Sequence, residues 1–196
     1  MHTAAVKHTL YDIALHFVVA AVSPYYAFRM ITGSKYREGL PERFGRVDRR
    51  KTASLVGGPV VWVHAVSVGE TKAVLPLVRM LKERHPGLKV AFTTVTRTGH
   101  DVAAREGEGL IDSLFYFPLD ISWAVKNVID MVDPDVAVVV EKEIWPNFFY
   151  TLRQRSIPLV VVNGTISDRS YRRFRRFRSV FGSVFRMVSF FCARTE

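Results

Sequence analysis

The chain has 196 residues, of which 48% are hydrophobic and 23% charged, and a formal net charge of +10. That apolar share excludes a disordered basic tail, and the length suits one good core, with room for an appendage. A single cysteine, Cys192, excludes a disulfide framework or a cysteine-built zinc cluster and points to a reducing compartment.

The first element is an apolar run from Ile13 to Phe28, interrupted by His16 and Pro24 and ending in Tyr25, Tyr26 and Phe28 before Arg29. A membrane span needs about 20 residues, so this run is short for crossing and suits either a span with flanking help or an interfacial helix. An aromatic group followed by basic residues is the order of an interface belt and its cytoplasmic flank. We therefore expect residues 1–31 to be a membrane-associated helix, with an amphipathic core helix as the alternative. A basic segment follows at 32–58, read as a linker or acceptor-side segment. Residues 29–51 hold eight Lys/Arg against three acids, a balance of +5.

From Pro59 strands and helices alternate. Strands are expected at 60–65, 88–95, 113–117, 135–140, 157–163 and 187–193, and helices at 71–84, 98–106, 122–132 and 147–155. A basic helical region covers 169–186, where Arg172, Arg173, Arg175, Arg176 and Arg178 alternate with Tyr171, Phe174, Phe177 and Phe181. Near-continuous apolar strands separated by helices imply βαβ units, hence an α/β, Rossmann-like parallel sheet with helices on both faces over 59–196.

In such sheets reactive groups gather beyond the carboxyl ends of the strands. Four strand ends here carry polar loops. The first holds Ser67, Gly69 and Glu70, with the acid at or near a helix start, where taken alone it reads first as a complement to the helix dipole. The second holds Thr96 and Arg97, a hydroxyl-rich turn suited to a sugar or phosphate, or to plain capping. The third follows the run Val138-Val139-Val140 with Glu141 and Glu143, which share one face of an extended segment. The fourth holds Asn163, Ser167 and Arg169. Two acids at the end of an apolar strand cost several kcal/mol unless paired or protonated, so packing explains them poorly. No G-x-G-x-x-G or P-loop motif is present, and the six histidines are scattered, so no dinucleotide site or metal ligand set is expected. His64, inside a strand, reads as a satisfied core residue. A non-enzymatic nucleic-acid module would explain the basic aromatic helix but not the acids, which repel a phosphate backbone.

The segments WVHAVSVGETKAVLPLV (62–78), TTVTRTG (93–99), FPLD (117–120), EKEIWPN (141–147) and NGTISDRS (163–170), with ERFGR (42–46) upstream, together resemble the amino-terminal half of the 3-deoxy-D-manno-octulosonic acid (Kdo) transferases. The resemblance implies the acceptor-side domain of a GT-B glycosyltransferase. Its reaction carries Kdo from CMP-Kdo to the lipid A precursor lipid IVA, with inversion, at the cytoplasmic face of the inner membrane. It implies no metal or cofactor in the transfer, an anionic membrane surface as partner, and no nucleic acid. Glu70 takes the position of the proposed general base and Glu141 that of a second required acid. Ser67, Gly69, Thr96, Arg97, Glu143, Asn163, Ser167 and Arg169 are the expected substrate-binding set. Two Rossmann-like domains need about 350 residues. The donor-binding domain is therefore expected to lie outside these 196 residues, and the chain alone is expected to be inactive. Another GT-B lipid glycosyltransferase, with a different sugar donor, is the alternative.

Overall fold

The computed structural model describes residues 9, 11–21, 38–141, 143–165, 174–176 and 178–194. Six strands form one sheet: β1 (Val60–His64), β2 (Lys89–Thr94), β3 (Ser113–Tyr116), β4 (Val136–Val140), β5 (Leu159–Gly164) and β6 (Phe190–Ala193). All pair in parallel, in the order β3-β2-β1-β4-β5-β6. This is the doubly wound order, in which the chain winds outward from the centre first one way and then the other, leaving a switch point between β1 and β4.

The helices are α1 over residues 11–21, α2 (Leu40–Arg43), α3 (Arg49–Thr52), α4 (Val68–Arg84), α5 (Arg97–Glu106), α6 (Ser122–Val132), α7 (Pro146–Gln154) and α8 (Arg178–Phe185). Each strand lies within two or three residues of its expected ends. The helix after β1 starts three residues earlier than the apolar spacing suggests, because Ser67 caps it and draws Val68, Gly69 and Glu70 into the first turn.

Two cores sandwich the sheet. On one face Trp62, Phe115, Ala137 and Val139 pack with α6, α7 and Val184 of α8; on the other Val61, Val63, Phe92, Val138 and Val140 pack with α4 and α5. Alternate residues of one strand serve opposite cores, yet all five residues of β1 are buried. This is why the strand reads as an unbroken apolar run rather than an alternating one. Thr93 of β2 ties two side chains on one face of β1: its hydroxyl accepts from Trp62 Nε1 at 2.9 Å and lies 3.0 Å from His64 Nδ1. His64 is fully buried, stacked on Phe117 at 3.8 Å, and held neutral by burial, its pKa lowered to about 3. It is only half satisfied, since Nε2 has no hydrogen-bond partner among the described residues.

Residues 38–55 fold onto the sheet's β3 side, with Val47 and Leu55 in the core. Arg43 reaches across to the Val95 carbonyl at 2.6 Å and covers the Tyr116 ring. Gly45 sits at φ +70°, and a Cβ there would lie 2.6 Å from the Ala124 carbonyl oxygen of α6. Backbone on both sides leaves nothing to move aside. Gly45→Ala should therefore cost about 2 kcal/mol or more, read as a lower urea midpoint with unchanged slope.

Of the expected membrane element, α1 is described only over residues 11–21, and 1–8, 10 and 22–31 lie outside the described residues. Among the described residues no helix is long and apolar enough to cross a membrane.

Candidate active site

The strand-end acids meet at the switch point. Ser67-Val68-Gly69-Glu70 is a near-complete capping box. The Ser67 hydroxyl accepts from the Glu70 amide at 3.4 Å and donates to Glu70 Oε1 at 3.1 Å. Glu70 Oε2 accepts from the Val66 amide at 2.7 Å. The carboxylate is thus turned back over the end of β1 and held there, 9% exposed. Burial raises its pKa above the ordinary 4.5; the Val66 and Ser67 hydrogen bonds oppose this, and the charge of Glu141 adds to it. A helix start alone would have pulled the value down, so burial decides the direction here.

Glu141 follows β4 directly, in a left-handed conformation, φ +62°. Its amide still bonds the Val162 carbonyl at 2.9 Å, so the residue is locked to β5 while its side chain leaves the sheet plane. Asn163 is also left-handed, φ +54°, beside an irregularity in the β5–β6 register between Val161 and Gly164. Its Nδ2 donates to Glu141 Oε1 at 3.4 Å. Two non-glycine residues in this region, side by side at adjacent strand ends and bonded to each other, mark stored strain of the kind found at functional sites. Glu143 is half-buried, and its pKa is pushed up to about 6 by burial, then by the charges of Glu70 and Glu141. The three carboxylates therefore feel one another. Glu141 and Glu143 also wall a small, mostly apolar hollow of about 20 Å³, whose other walls include Phe149, Phe174, Phe185 and Phe191. Glu70 approaches from β1 and is not one of its walls.

The other expected site residues divide. Gly69 is exposed in the first turn of α4, with nothing closer than the Ser67 hydroxyl at 4.0 Å to a Cβ built there, so the helix start stays open to close approach. Thr96 caps α5 through the Gly99 amide and donates to the Val66 carbonyl at 3.0 Å, tying this loop to the Ser67 loop. Arg97 is exposed and paired with Glu38 at 3.1 Å. Ser167 and Arg169 lie outside the described residues, as do Tyr171, Arg172, Arg173 and Phe177 of the basic helical region.

One group beside the site escaped the sequence reading. Asp120, 4% exposed, accepts from the Asn147 and Phe148 amides at 3.0 and 2.9 Å and from the Tyr11 hydroxyl at 3.0 Å. Trp145 occupies the N-cap position of α7 and makes no side-chain cap bond, so Asp120 caps that helix from a distance. Its only sequence signal was membership of the FPLD block.

Residues 38–196 match the family model described as 3-deoxy-D-manno-octulosonic-acid transferase (kdotransferase). The chain is 33% identical over 165 residues to the 3-deoxy-D-manno-octulosonic acid transferase of Haemophilus influenzae, covering 84% of this chain and 38% of the relative. It is 32% identical over 191 residues to that of Chlamydophila psittaci, covering 96% of this chain and 43% of the relative. The chain thus spans about two fifths of the length of these curated relatives. Among solved structures, MurG of Acinetobacter baumannii matches with a TM-score of 0.51 at 10% identity, over 71% of this chain and 42% of MurG, a likeness of fold alone.

Proposed function

The chain belongs to the Kdo transferase family, and from that premise we propose that it is the acceptor-side half of a GT-B glycosyltransferase that moves Kdo from CMP-Kdo to lipid IVA. The whole enzyme works at the cytoplasmic face of the inner membrane, and the transfer uses no metal. The observation that carries this reading is the convergence of Glu70 and Glu141 on the β1/β4 switch point inside the family match.

An acceptor hydroxyl is a weak nucleophile until a base takes its proton during attack. Glu70 serves as that base: its carboxylate attracts the hydroxyl proton as the oxygen closes on the anomeric carbon of Kdo. The bond to the CMP phosphate oxygen breaks on the opposite face, which inverts the centre. Burial and the Glu141 charge raise the proton affinity of Glu70, which improves it as a base. Ser67 and the Val66 amide fix its orientation. Glu141, aimed by Asn163, and Glu143 supply carboxylates beyond the end of β4 for contacts to the acceptor sugar. Arg97 and Thr96 stand at the neighbouring strand end for acceptor contacts, and Ser167 and Arg169 are assigned to the same task from the sequence alone.

The test is transfer from labelled CMP-Kdo to lipid IVA by the full-length enzyme in detergent. Kdo-bearing product is expected. No product with CMP-Kdo, and product with a different nucleotide sugar, would move the protein to another lipid glycosyltransferase class. One substitution separates function from stability. Glu141→Gly relieves a left-handed glutamate and removes one of three clustered charges, so it should raise stability by about 1 kcal/mol while abolishing transfer. A lower melting temperature would contradict the strain argument.

A further inference from the structure

Two helices on one face of the sheet, α6 and α7, begin on residues that cannot cap them. Ile121 holds the N-cap position of α6 and Trp145 that of α7, and neither makes a side-chain cap bond. Such positions favour Ser, Thr, Asp or Asn, whose side chains accept from the first amides. Acids from outside each helix do this instead. The Asp12 carboxylate, on α1, accepts from the Ser122 amide at 3.1 Å and the Ser122 hydroxyl at 2.8 Å. Asp120 accepts from the Asn147 and Phe148 amides. Asn147, fully buried, ties the two acids together: its Nδ2 donates to Asp12 Oδ1 at 2.7 Å and also to the Asp120 carbonyl. Tyr11, beside Asp12, donates to Asp120 Oδ2 at 3.0 Å.

Asn147 is where this network meets the site. The loop from Glu141 to Asn147 carries Glu143 and is pinned at both ends. At one end the Glu141 amide is bonded to the Val162 carbonyl of β5. At the other, Asn147 is bonded to Asp120 through its backbone and to Asp12 through its side chain. Between the pins Ile144 and Trp145 pack on the core, and Glu143 stays half-buried. The position of the Glu143 carboxylate therefore depends on both. The first pin belongs to the sheet. The second is completed by α1, because Asp12 gives Asn147 a charged acceptor, the stronger class of hydrogen bond, from 135 residues away. The same carboxylate holds the start of α6, so α6, α7 and the loop share one anchor.

We infer, on the function proposed above with Glu143 as a contact to the acceptor sugar, that Asp12 is a positioning residue for the transfer: bonded to Ser122 and Asn147, it fixes the far end of the Glu143 loop. Asp12 acts at one remove, through Asn147, and α1 is thereby part of the scaffold of the acceptor site.

Hydrogen exchange reads the placement without turnover. In Asp12→Ala of the full-length enzyme, the amides between Glu143 and Phe148 should exchange roughly tenfold faster than in wild type, with those of Val138 to Val140 unchanged. No change between 143 and 148 overturns the inference, since the loop then does not depend on Asp12. Equal acceleration in both segments also overturns it, since the loss is then global. Steady-state kinetics read the use of the placement. Asp12→Ala should raise KM for lipid IVA roughly tenfold and leave KM for CMP-Kdo unchanged. A lowered rate with both KM values unchanged is the mark of partial unfolding and overturns the inference. Asp12→Asn keeps an oxygen for the Ser122 amide and for Asn147 Nδ2, so both KM values should stay within about threefold of wild type. Impairment equal to that of alanine overturns the hydrogen-bonded role. Asp12→Ala combined with Glu143→Gln should raise the lipid IVA KM no further than Glu143→Gln alone. Additive effects mean that Asp12 does not act through Glu143, and overturn it. A wild-type enzyme that moves no Kdo would sink the transferase reading, while the exchange comparison decides the placement on its own.

Discussion

Glu70→Gln in the full-length enzyme is expected to lower the rate of Kdo transfer by about 10²–10⁴-fold with little change in stability. Glutamine keeps an oxygen for the Val66 amide and an amide for the Ser67 hydroxyl, so the capping box survives. What is lost is proton affinity. The wild-type pH profile should show the same group. Glu70 acts deprotonated, and burial places its pKa above 4.5. The rate should therefore rise with pH through a limb displaced above 4.5 and then level off. The residual activity of Glu70→Gln should lack that limb. Activity within a factor of three of wild type would remove Glu70 from the role of base.

Asp120→Ala is expected to destabilise the enzyme by about 2–4 kcal/mol, the largest stability loss among the substitutions considered. It strands the Asn147 and Phe148 amides at the start of α7 and frees the Tyr11 hydroxyl. Asp120 also carries a pH signature. Burial, opposed by its three donors and assisted by the charge of Asp12, raises its pKa from 3.8 to about 7. Between those values the folded protein holds a proton that the unfolded chain has released. Stability contributed by this group is therefore full below about pH 4, falls as pH rises toward 7, and is flat above. Urea unfolding at pH 4.5, 6 and 7.5 should show that decline in wild type, against the background of the other groups, and a shallower one in the alanine variant. A rise with pH that depends on Asp120 would mean that its donors outweigh its burial.

Both predictions concern acids, yet only one was visible beforehand. Glu70 stood out because a polar turn with Gly69 follows an unbroken apolar strand. Asp120 did not, because its partners lie 27, 28 and 109 residues away and the residue itself sits in a short apolar block. The strands themselves were legible, since a buried parallel strand is a run of β-branched and aromatic residues closed by polar ones. Their lateral order was not, because nothing in a strand's own residues names its neighbour. Nor was the left-handed turn at Glu141. Glycine advertises such a backbone, whereas glutamate there is forced by the β5 hydrogen bond and the packing beyond it. Asp12, just ahead of the apolar run, carries no local signal of its role, since its partners Ser122 and Asn147 lie 110 and 135 residues away.

The placement of β1 beside β4 has a mechanical result. Adjacent strands are held about 4.8 Å apart by their ladder, here four residue pairs from Val61 to His64, with both strands walled in on either side. The span between the two acids' anchor points is thus gauged by the stiffest part of the molecule. Amide protons of Trp62 to His64 and of Val138 to Val140 should be among the last to exchange with deuterium, surviving until global opening. The surrounding loops can breathe, and any attached lobe can swing, without altering that gauge.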